Sequence, residues 1–247
     1  DFKNLGFAVI DEQHKFGVMQ RAKLKEKGFN PDVLVMTATP IPRTLSMTYY
    51  GDLDVSVINE LPKNRIPIKT YLRTESEKPK IYEFIRDEVK KGRQVYIVYP
   101  LIDESEKLDL KSAEENFVLL KEKIFPDLKL GMVHGRMLWY EKDEATEDFK
   151  DKKTDILVST TVIEVGIDIP NASIMIIEEA QRFGLSQLHQ LRGRVGRGSE
   201  QSYCILVAKN LSEDSMKRLS ILCETTDGFR IAEEDMEIRG PGEFFGI

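Results

Sequence analysis

The chain has 247 residues, of which 41% are hydrophobic and 32% charged, a balance typical of a globular protein that buries its own core. Its formal net charge of −6 argues against a protein that passively coats nucleic acid, because such proteins carry a basic surface. No apolar run reaches the roughly 18 residues of a membrane span, so we expect no contact with a membrane.

The first predicted strand, residues 4–10, is apolar and leads directly into Asp11 and Glu12. We expect a buried parallel strand, and ligands of open α/β sheets bind at the carboxyl ends of such strands. There Asp11 could hold Mg²⁺ through water, while Glu12 could position or deprotonate an attacking water. A solvated acidic strand end is the alternative. His14 has no second metal ligand three or four residues away, so we interpret it as a polar relay.

A helix over residues 18–27 and a second buried strand over residues 32–36 are predicted next. This strand leads into Thr37 and Thr39, and the prolines that follow stop any helix. The two hydroxyls could hydrogen-bond the neighbouring edge that carries Asp11, although a plain turn would have a similar sequence.

Residues 61–67 contain two prolines and are predicted to link two domains. Beyond them, strands and helices alternate, which is typical of a parallel sheet covered by helices on both faces. The strands are predicted at residues 68–73, 94–99, 128–133, 155–159, 173–177 and 203–207, and the helices at 80–91, 113–124 and 140–149. The charged residues 104–115 are expected to form a solvated loop without an assigned function.

Two of these strand ends carry residues suited to a phosphate backbone. His134 precedes Gly135, whose backbone N–H could reach a phosphate oxygen, although a simple turn is an equal alternative. The strand over residues 155–159 is followed by two hydroxyls, a glycine and a carboxylate, at Thr160, Thr161, Gly166 and Asp168. The hydroxyls and the glycine suit phosphate contacts, while the carboxylate suits a ribose hydroxyl or an arginine.

Residues 187–198 combine three arginines and three glycines with an apolar stripe. Gln190, Arg194 and Arg197 stand at spacings of four and three, so in a helix they would share one face. An arginine fork stays charged and meets two phosphate oxygens at once, which suits a triphosphate. The glycines allow a second surface to come close. A solvated basic helix end is the alternative interpretation.

The last segment is predicted to be a helical hairpin. Ser212 can cap a first helix that closes at Gly228, and a second helix over about 229–237 leads to Arg239 in a loop. Residues 211–247 hold four basic and nine acidic residues, which argues against phosphate binding by the whole hairpin. A hairpin that merely supports the core is the alternative.

Four of these stretches resemble motifs of the superfamily 2 helicases and stand in the same order. Residues 11–14 resemble motif II, 37–39 motif III, 159–168 motif V and 187–198 motif VI. The resemblance implies an α/β fold of RecA-like parallel sheets with helices on both faces. It divides the chain into the C-terminal half of a first domain (1–60), a complete second domain (61–210) and a hairpin with a translocation loop (211–247).

The resemblance also implies roles for residues. It makes Glu12, Arg194 and Arg197 catalytic, and assigns binding of ATP and Mg²⁺ to Asp11, Gln190, Gly166 and Asp168. It makes His14, Thr37 and Thr39 the link between the nucleotide and the grip on DNA, and assigns DNA contact and translocation to His134, Gly135, Thr160, Thr161 and Arg239. Adenine nucleotide would lie between the two RecA-like domains.

The strings DEQHKFGV, TATPIPRTL, VHGRM, STTVIEVGIDIPNA and EIRGPGE resemble more closely the superfamily members that remodel branched double-stranded DNA. Stalled replication forks and Holliday junctions are the implied substrates, in recombination and repair. A transcription-repair coupling translocase and a non-hydrolysing DNA-binding scaffold are the alternatives. Intact Glu12, Arg194 and Arg197 argue against the scaffold.

The sequence lacks a phosphate-binding G-x-x-x-x-G-K-[ST] loop. We therefore expect the chain to be inactive as an ATP hydrolase alone. We also expect it to belong to a longer polypeptide whose upstream portion carries that loop and a DNA wedge domain. Cys204 and Cys223 have no CxxC spacing, so we interpret both as reduced packing residues and the compartment as the cytoplasm.

Overall fold

The computed structural model describes residues 5–11, 31–38, 54–58, 60, 65–101, 106–160 and 169–239, without the side chains of residues 106–108 and 239. Several predictions lie outside these residues: the helix over 18–27, most of the linker, the loop after Arg239, and the site residues Glu12, His14, Thr39, Thr161, Gly166 and Asp168. No helix in the described ranges is both long enough and apolar enough to cross a membrane.

Two strands near the N-terminus pair in parallel, as the sequence predicts. Strand β1 is Phe7–Asp11 and strand β2 is Asp32–Met36, and Asp11 lies opposite Met36 in the register. Ala8 and Ile10 on β1 are buried, and the residues between them are exposed, as expected for alternating side chains. The carboxyl ends of both strands therefore lie side by side.

A second sheet contains six parallel strands. They are β3 (Lys69–Thr74), β4 (Gln94–Val98), β5 (Leu130–Val133), β6 (Ile156–Ser159), β7 (Ala172–Ile177) and β8 (Tyr203–Ala208), in the spatial order β3-β8-β7-β4-β6-β5. Strand β4 is buried along its whole length, as is usual for a central parallel strand. Because all six strands are parallel, their carboxyl ends form one edge of the sheet.

Helices cover both faces of this sheet. They are α1 (Lys78–Lys90), α2 (Glu106–Leu119, continued by a π-helical turn at Leu120–Ile124), α3 (Trp139–Lys150), α4 (Leu185–Arg192), α5 (Glu213–Glu224) and α6 (Gly228–Arg239). Short 3₁₀ turns occur at Glu75–Glu77 and Ala180–Arg182. The alternation of strand and helix that the sequence predicts is confirmed, and so is the helical hairpin formed by α5 and α6.

The strand β4 shows how the two faces divide the core. Val95 and Ile97 point into a cluster that contains Ile81 and Ile85 of α1. Tyr96 and Val98 point to the opposite side, where residues from α3, α4, α5 and α6 form a second cluster that contains Phe149, Leu188, Leu222 and Ile231. Helix α4 and the hairpin thus share one hydrophobic core, which fixes their relative position.

The prediction of a solvated loop over residues 104–115 is wrong for the described residues from 106 onward. They belong to α2, which buries Leu110 and Ala113 against the domain. Asp109 accepts three hydrogen bonds from the guanidinium of Arg182 at 2.9–3.0 Å. Charge density suggested a loop, but two apolar residues three positions apart and one paired carboxylate are enough to dock this helix.

The expectation that both cysteines are packing residues holds for only one of them. Both are free thiols, and Cys204 on β8 is buried, whereas Cys223 on α5 is exposed. Helix α5 buries Leu219 and Leu222 on its core-facing side, which leaves Cys223 toward solvent.

The turn after α3 offers a test of local backbone strain. Lys152 adopts φ 60° and its N–H donates to the carbonyl of Phe149 at 3.1 Å, so it occupies the left-handed position where glycine normally ends a helix. Lys152→Gly should raise the free energy of unfolding by about 1 kcal/mol, because glycine has no Cβ to clash there. Urea unfolding followed by circular dichroism measures this change.

Lys150→Gly is the matched control, since it lies two residues earlier inside the helix and should cost about 1 kcal/mol. Loss of stability in Lys152→Gly as well would show that the left-handed turn carries no strain.

Candidate functional site

The carboxyl ends of β5 and β6 bring together residues that the sequence assigns to DNA contact. The backbone N–H of Thr160 donates to the carbonyl of Val133 at 3.3 Å, so Thr160 lies beside the turn that starts at His134 and Gly135. The hydroxyl of Thr160 and Nδ1 of His134 are both buried, and neither has a hydrogen-bond partner in the described part of the chain. Two unsatisfied buried polar atoms at one edge indicate a place where a ligand or water completes the hydrogen bonding.

The other ring nitrogen of His134 lies close to a carboxylate. Its Nε2 is 3.8 Å from Oε1 of Glu114 on α2. Helix α2 therefore packs beside this edge.

Asp11 and Thr37 lie side by side at the carboxyl edge of the two-stranded sheet, and both are exposed. Among the described residues, no group of three or more His, Cys, Asp and Glu side chains could hold a metal ion. Mg²⁺ commonly keeps several waters and takes one or two carboxylates together with substrate phosphates. Asp11 at an open strand end fits such a partial set of ligands.

Helix α4 contains the first half of the arginine-rich stretch, residues 187–198. The N–H of Gly184 donates to Oε1 of Gln187 at 3.1 Å and thereby satisfies one backbone donor at the start of the helix. Leu185, Leu188 and Leu191 are buried in the shared core. The predicted apolar stripe therefore anchors the helix as expected.

The prediction that Gln190, Arg194 and Arg197 share a helical face is wrong. Helix α4 ends at Arg192, and Gly193 caps it, so only Gln190 belongs to the helix. The N–H of Arg194 donates to the carbonyl of Leu191 at 3.0 Å in a closing turn, and Gly196 then adopts φ +82°. The period of the side chains agreed with a helix, but the glycines end it.

We call residues 193–198 the arginine loop. It is held between two other segments of the domain. A Cβ on Gly196 would lie 2.8 Å from Ile68, and a Cβ on Gly198 would lie 2.5 Å from the carbonyl oxygen of Pro170. Nε of Arg65 donates to the carbonyl of Gly196 at 3.2 Å. The expectation that glycines admit a close second surface is confirmed at these two positions.

The side chain of Arg194, on the arginine loop, has no partner among the residues that the structure describes. The guanidinium is half-buried and makes no hydrogen bond or ion pair with any residue that the structure describes. Most half-buried arginines bond carboxylates or carbonyls, because an unpaired charge is costly to desolvate. A guanidinium in this setting is suited to an anionic ligand such as a phosphate. Arg197 is exposed on the same loop.

Arg192 is a structural residue that sequence reasoning missed. Its side chain is buried, and its Nη1 donates to the carbonyls of Leu222 and Thr225 at 2.7 and 2.9 Å. These carbonyls lie at the C-terminal end of α5, where four backbone acceptors lack partners inside the helix. Arg192 therefore fastens the end of α4 to the end of α5. The acceptors are some 30 positions away in sequence, so no local signal could have shown them.

His189 completes this contact. Nη2 of Arg192 lies 3.0 Å from Nδ1 of His189, one turn earlier on α4. Burial, reinforced by the Arg192 charge, lowers the pKa of His189 to about 4. The imidazole is therefore neutral at physiological pH, and its Nδ1 can accept the hydrogen bond from Arg192.

A chain of ion pairs steadies the turn that leads into α4. Glu179 accepts from Lys209 at 2.7 Å and pairs with Arg182 at 3.3 Å, and Arg182 in turn pairs with Asp109. Glu179 adopts φ 49°, which is uncommon for a residue other than glycine. These charges connect β8, α2 and the entry to α4.

Comparison with known proteins agrees with this arrangement. Residues 77–199 match the family model of the helicase conserved C-terminal domain. A solved structure of Saccharomyces cerevisiae Dbp5 covers 97% of the chain and 65% of its own length with a TM-score of 0.63, and its 16% identity shows a common fold alone. The fold and the family match together define a RecA-like helicase C-terminal domain.

Closer relatives identify the branch of that superfamily. The ATP-dependent DNA helicases RecG of Synechocystis and Thermotoga maritima are 60% and 55% identical over 246 residues, which is the whole chain and 30% and 32% of their lengths. A RecG bound to a three-way DNA junction is 50% identical, with a TM-score of 0.80 over 99% of this chain and 31% of that one. The chain belongs to the RecG family and spans about a third of the length of these relatives.

The buried imidazole predicts a pH dependence of stability. The folded pKa of His189 lies below its ordinary value of 6.5, so the unfolded chain binds the extra proton first as the pH falls. The stabilisation is complete above pH 6.5 and is lost progressively between 6.5 and about 4, by up to about 3 kcal/mol. His189→Gln, whose amide oxygen can still accept from Arg192, should lack this loss.

Urea unfolding of both proteins between pH 4.5 and 7.5 measures the effect as the difference between two curves, which cancels the titration of shared carboxylates. If the difference between the two curves stayed constant across this range, the pKa of His189 would be the same in the folded and the unfolded protein, and the prediction would be wrong.

Proposed function

We propose that the chain is the motor portion of an ATP-dependent DNA translocase that remodels branched double-stranded DNA at stalled forks and Holliday junctions, in recombination and repair. The observation that carries the proposal is the guanidinium of Arg194, which has no partner among the described residues and stands on a loop that packs between Ile68 and Pro170. The relation to RecG supports the proposed substrate class. Since the chain covers about a third of its relatives, the activity is that of a longer cytoplasmic protein.

The nucleotide chemistry divides among few residues. Asp11 would hold Mg²⁺ through water, and bound Mg²⁺ would neutralise negative charge on the phosphates. Glu12 would orient the attacking water and accept its proton. Arg194 and Arg197 would stabilise the charge that develops on the transferred phosphoryl group, in the way arginine fingers act in other nucleotide hydrolases. Gln190, Gly166 and Asp168 would bind the rest of the nucleotide.

DNA contact is proposed for the edge formed by β5 and β6. His134 and Gly135 would meet one strand through backbone groups, while Thr160 and Thr161 would contribute hydroxyls to phosphates. The two unsatisfied buried polar atoms, in His134 and Thr160, support this assignment. Thr37, Thr39 and His14 would link the state of the bound nucleotide to DNA contact at this edge.

The hairpin would convert changes at the nucleotide into movement of DNA. Arg192 bonds the end of α5 directly and lies two residues before Arg194, so a shift of the arginine loop has a short rigid path to the hairpin. Arg239 stands at the end of α6, where the chain continues into the proposed translocation loop. We retain the division into residues 1–60, 61–210 and 211–247, with the phosphate-binding loop and the wedge domain in the upstream portion.

The role of the arginine loop is tested in the full-length protein. Arg194→Ala and Arg197→Ala should each lower DNA-stimulated ATP hydrolysis by about 10³-fold or more, because charge on the transferred phosphoryl group loses its partner. Thermal unfolding should change little. Arg230→Ala is the matched control, since it removes the same charge from an exposed position on α6.

If the alanine variants lost stability but kept the specific activity of the folded fraction, the two arginines would be structural and the proposal would fail.

Arg239 is tested by separating hydrolysis from movement. In the full-length protein, Arg239→Ala should keep most of the DNA-stimulated hydrolysis yet lose unwinding of a synthetic three-way junction by about tenfold or more, as expected when a two-state element is uncoupled. Arg230→Ala is the matched control, because it removes an exposed arginine from the same helix. An equal decrease of hydrolysis and unwinding would assign Arg239 to ATP chemistry or folding instead.

A further inference from the structure

The first turn of α3 exposes three large apolar side chains in a row. Leu138, Trp139 and Tyr140 are 54%, 79% and 51% exposed, and we call them the aromatic patch. Trp139 is the single tryptophan of the chain. Single exposed apolar residues are ordinary, but a contiguous group that includes an almost fully exposed tryptophan is typical of an interaction site.

The aromatic patch lies on a helix that is anchored at both ends. The rings of Trp139 and Tyr140 meet edge to face with centroids 6.0 Å apart. The N–H of Leu138 donates to Oε2 of Glu141 at 2.8 Å, which fixes the first turn. At the other end of α3, Phe149 is fully buried against Tyr96. A partner therefore meets two rings that contact each other on a helix whose other end is anchored in the core.

The aromatic patch continues the edge proposed to contact DNA. The turn that contains His134 and Gly135 ends directly before it, and the N–H of Met137 donates to the carbonyl of His134 at 3.2 Å. Nζ of Lys142, on the next turn of α3, donates to the carbonyl of Gly135 at 2.9 Å. One cation thus lies between the turn and the patch.

The surrounding charges limit the direction from which a DNA strand could approach. Arg136 is exposed in the turn before the patch, whereas Asp143 and Glu144 are exposed on the following turn of α3. A phosphate backbone would be attracted to the turn and repelled farther along the helix. The charges therefore favour contact of a DNA strand with the first turn of α3 over contact farther along the helix.

We infer that Trp139 and Tyr140 form a stacking platform for an unpaired base of a DNA strand whose phosphates lie at the ends of β5 and β6. The inference rests on the proposed DNA-binding function and adds residues to it. Aromatic side chains beside cations are the usual means of binding unpaired nucleotides, because every base offers a π-face. A stacked base covers the apolar surface that α3 exposes, and branched DNA supplies unpaired bases at its junction.

The single tryptophan reports on this contact directly. The emission of Trp139 in this 247-residue chain is measured during titration with a 15-nucleotide oligothymidylate and with a blunt 15-base-pair duplex. Saturable quenching is expected with the oligothymidylate and clearly less with the duplex, whose bases are already stacked. Equal quenching by both would overturn the inference.

Variants measure the contribution to affinity, with fluorescein-labelled oligothymidylate followed by anisotropy. Trp139→Ala should weaken binding about tenfold, in keeping with alanine substitutions at other stacking sites. Trp139→Phe retains an aromatic ring and should stay within about threefold of the original. Met216→Ala, which removes a side chain that is 45% exposed on α5, should change nothing. Circular dichroism checks that each variant is folded.

The outcomes separate this inference from the proposed function. Because the proposed function belongs to the longer protein, the anisotropy titrations are made with the full-length protein, and if that protein and all its variants failed to bind DNA, both ideas would fail. If the protein bound DNA but Trp139→Ala bound it equally well, only the stacking platform would be wrong. A blue shift of Trp139 emission that grows with protein concentration without DNA would assign the patch to self-association and overturn the inference as well.

Discussion

The buried guanidinium of Arg192 bonds two parts of the chain, α4 and the hairpin, that also share one hydrophobic core. It donates to two carbonyls at the end of α5, and its neighbour His189 remains neutral because burial disfavours its charged form. Nη1 donates to both carbonyls while Nη2 meets Nδ1 of His189, and the single nitrogen of a lysine could not occupy both positions. The contact ties the C-terminal end of α4, which the arginine loop follows, to the end of α5. The hairpin and the arginine loop are therefore connected directly, through Arg192.

The parallel sheet supplies the second constraint. Because the six strands run in one direction, residues far apart in sequence meet at a single edge, as His134 and Thr160 do. Two glycines then let the arginine loop lie against Ile68 and Pro170, so that Arg194 is positioned by backbone contacts while its guanidinium has no partner within the described ranges. Preorganised charge of this kind stabilises a transition state without the cost of reorganisation.

The proposed division of labour follows from these two constraints. Rigid strands hold the groups that would meet the DNA backbone, and the arginine loop holds those that would meet the nucleotide. Helix α2 adds a third connection, since Asp109 pairs with Arg182 before α4 and Glu114 lies near His134. The aromatic patch on α3 would extend the edge proposed to contact DNA beyond the residues of the helicase motifs.

The sequence by itself determined the order of strands and helices, the apolar stripe of α4, the hairpin and the superfamily, because each is written in local periodicity or in a contiguous motif. It failed where the outcome depended on distant partners. The helical face of Arg194 and Arg197 was wrong because glycines end α4 early, and the charged α2 was mistaken for a loop because Arg182 lies 73 positions from Asp109. Only the tertiary structure decided that Arg192 is buried, since its acceptors come from another helix and a buried charge requires partners that spacing along the chain cannot reveal.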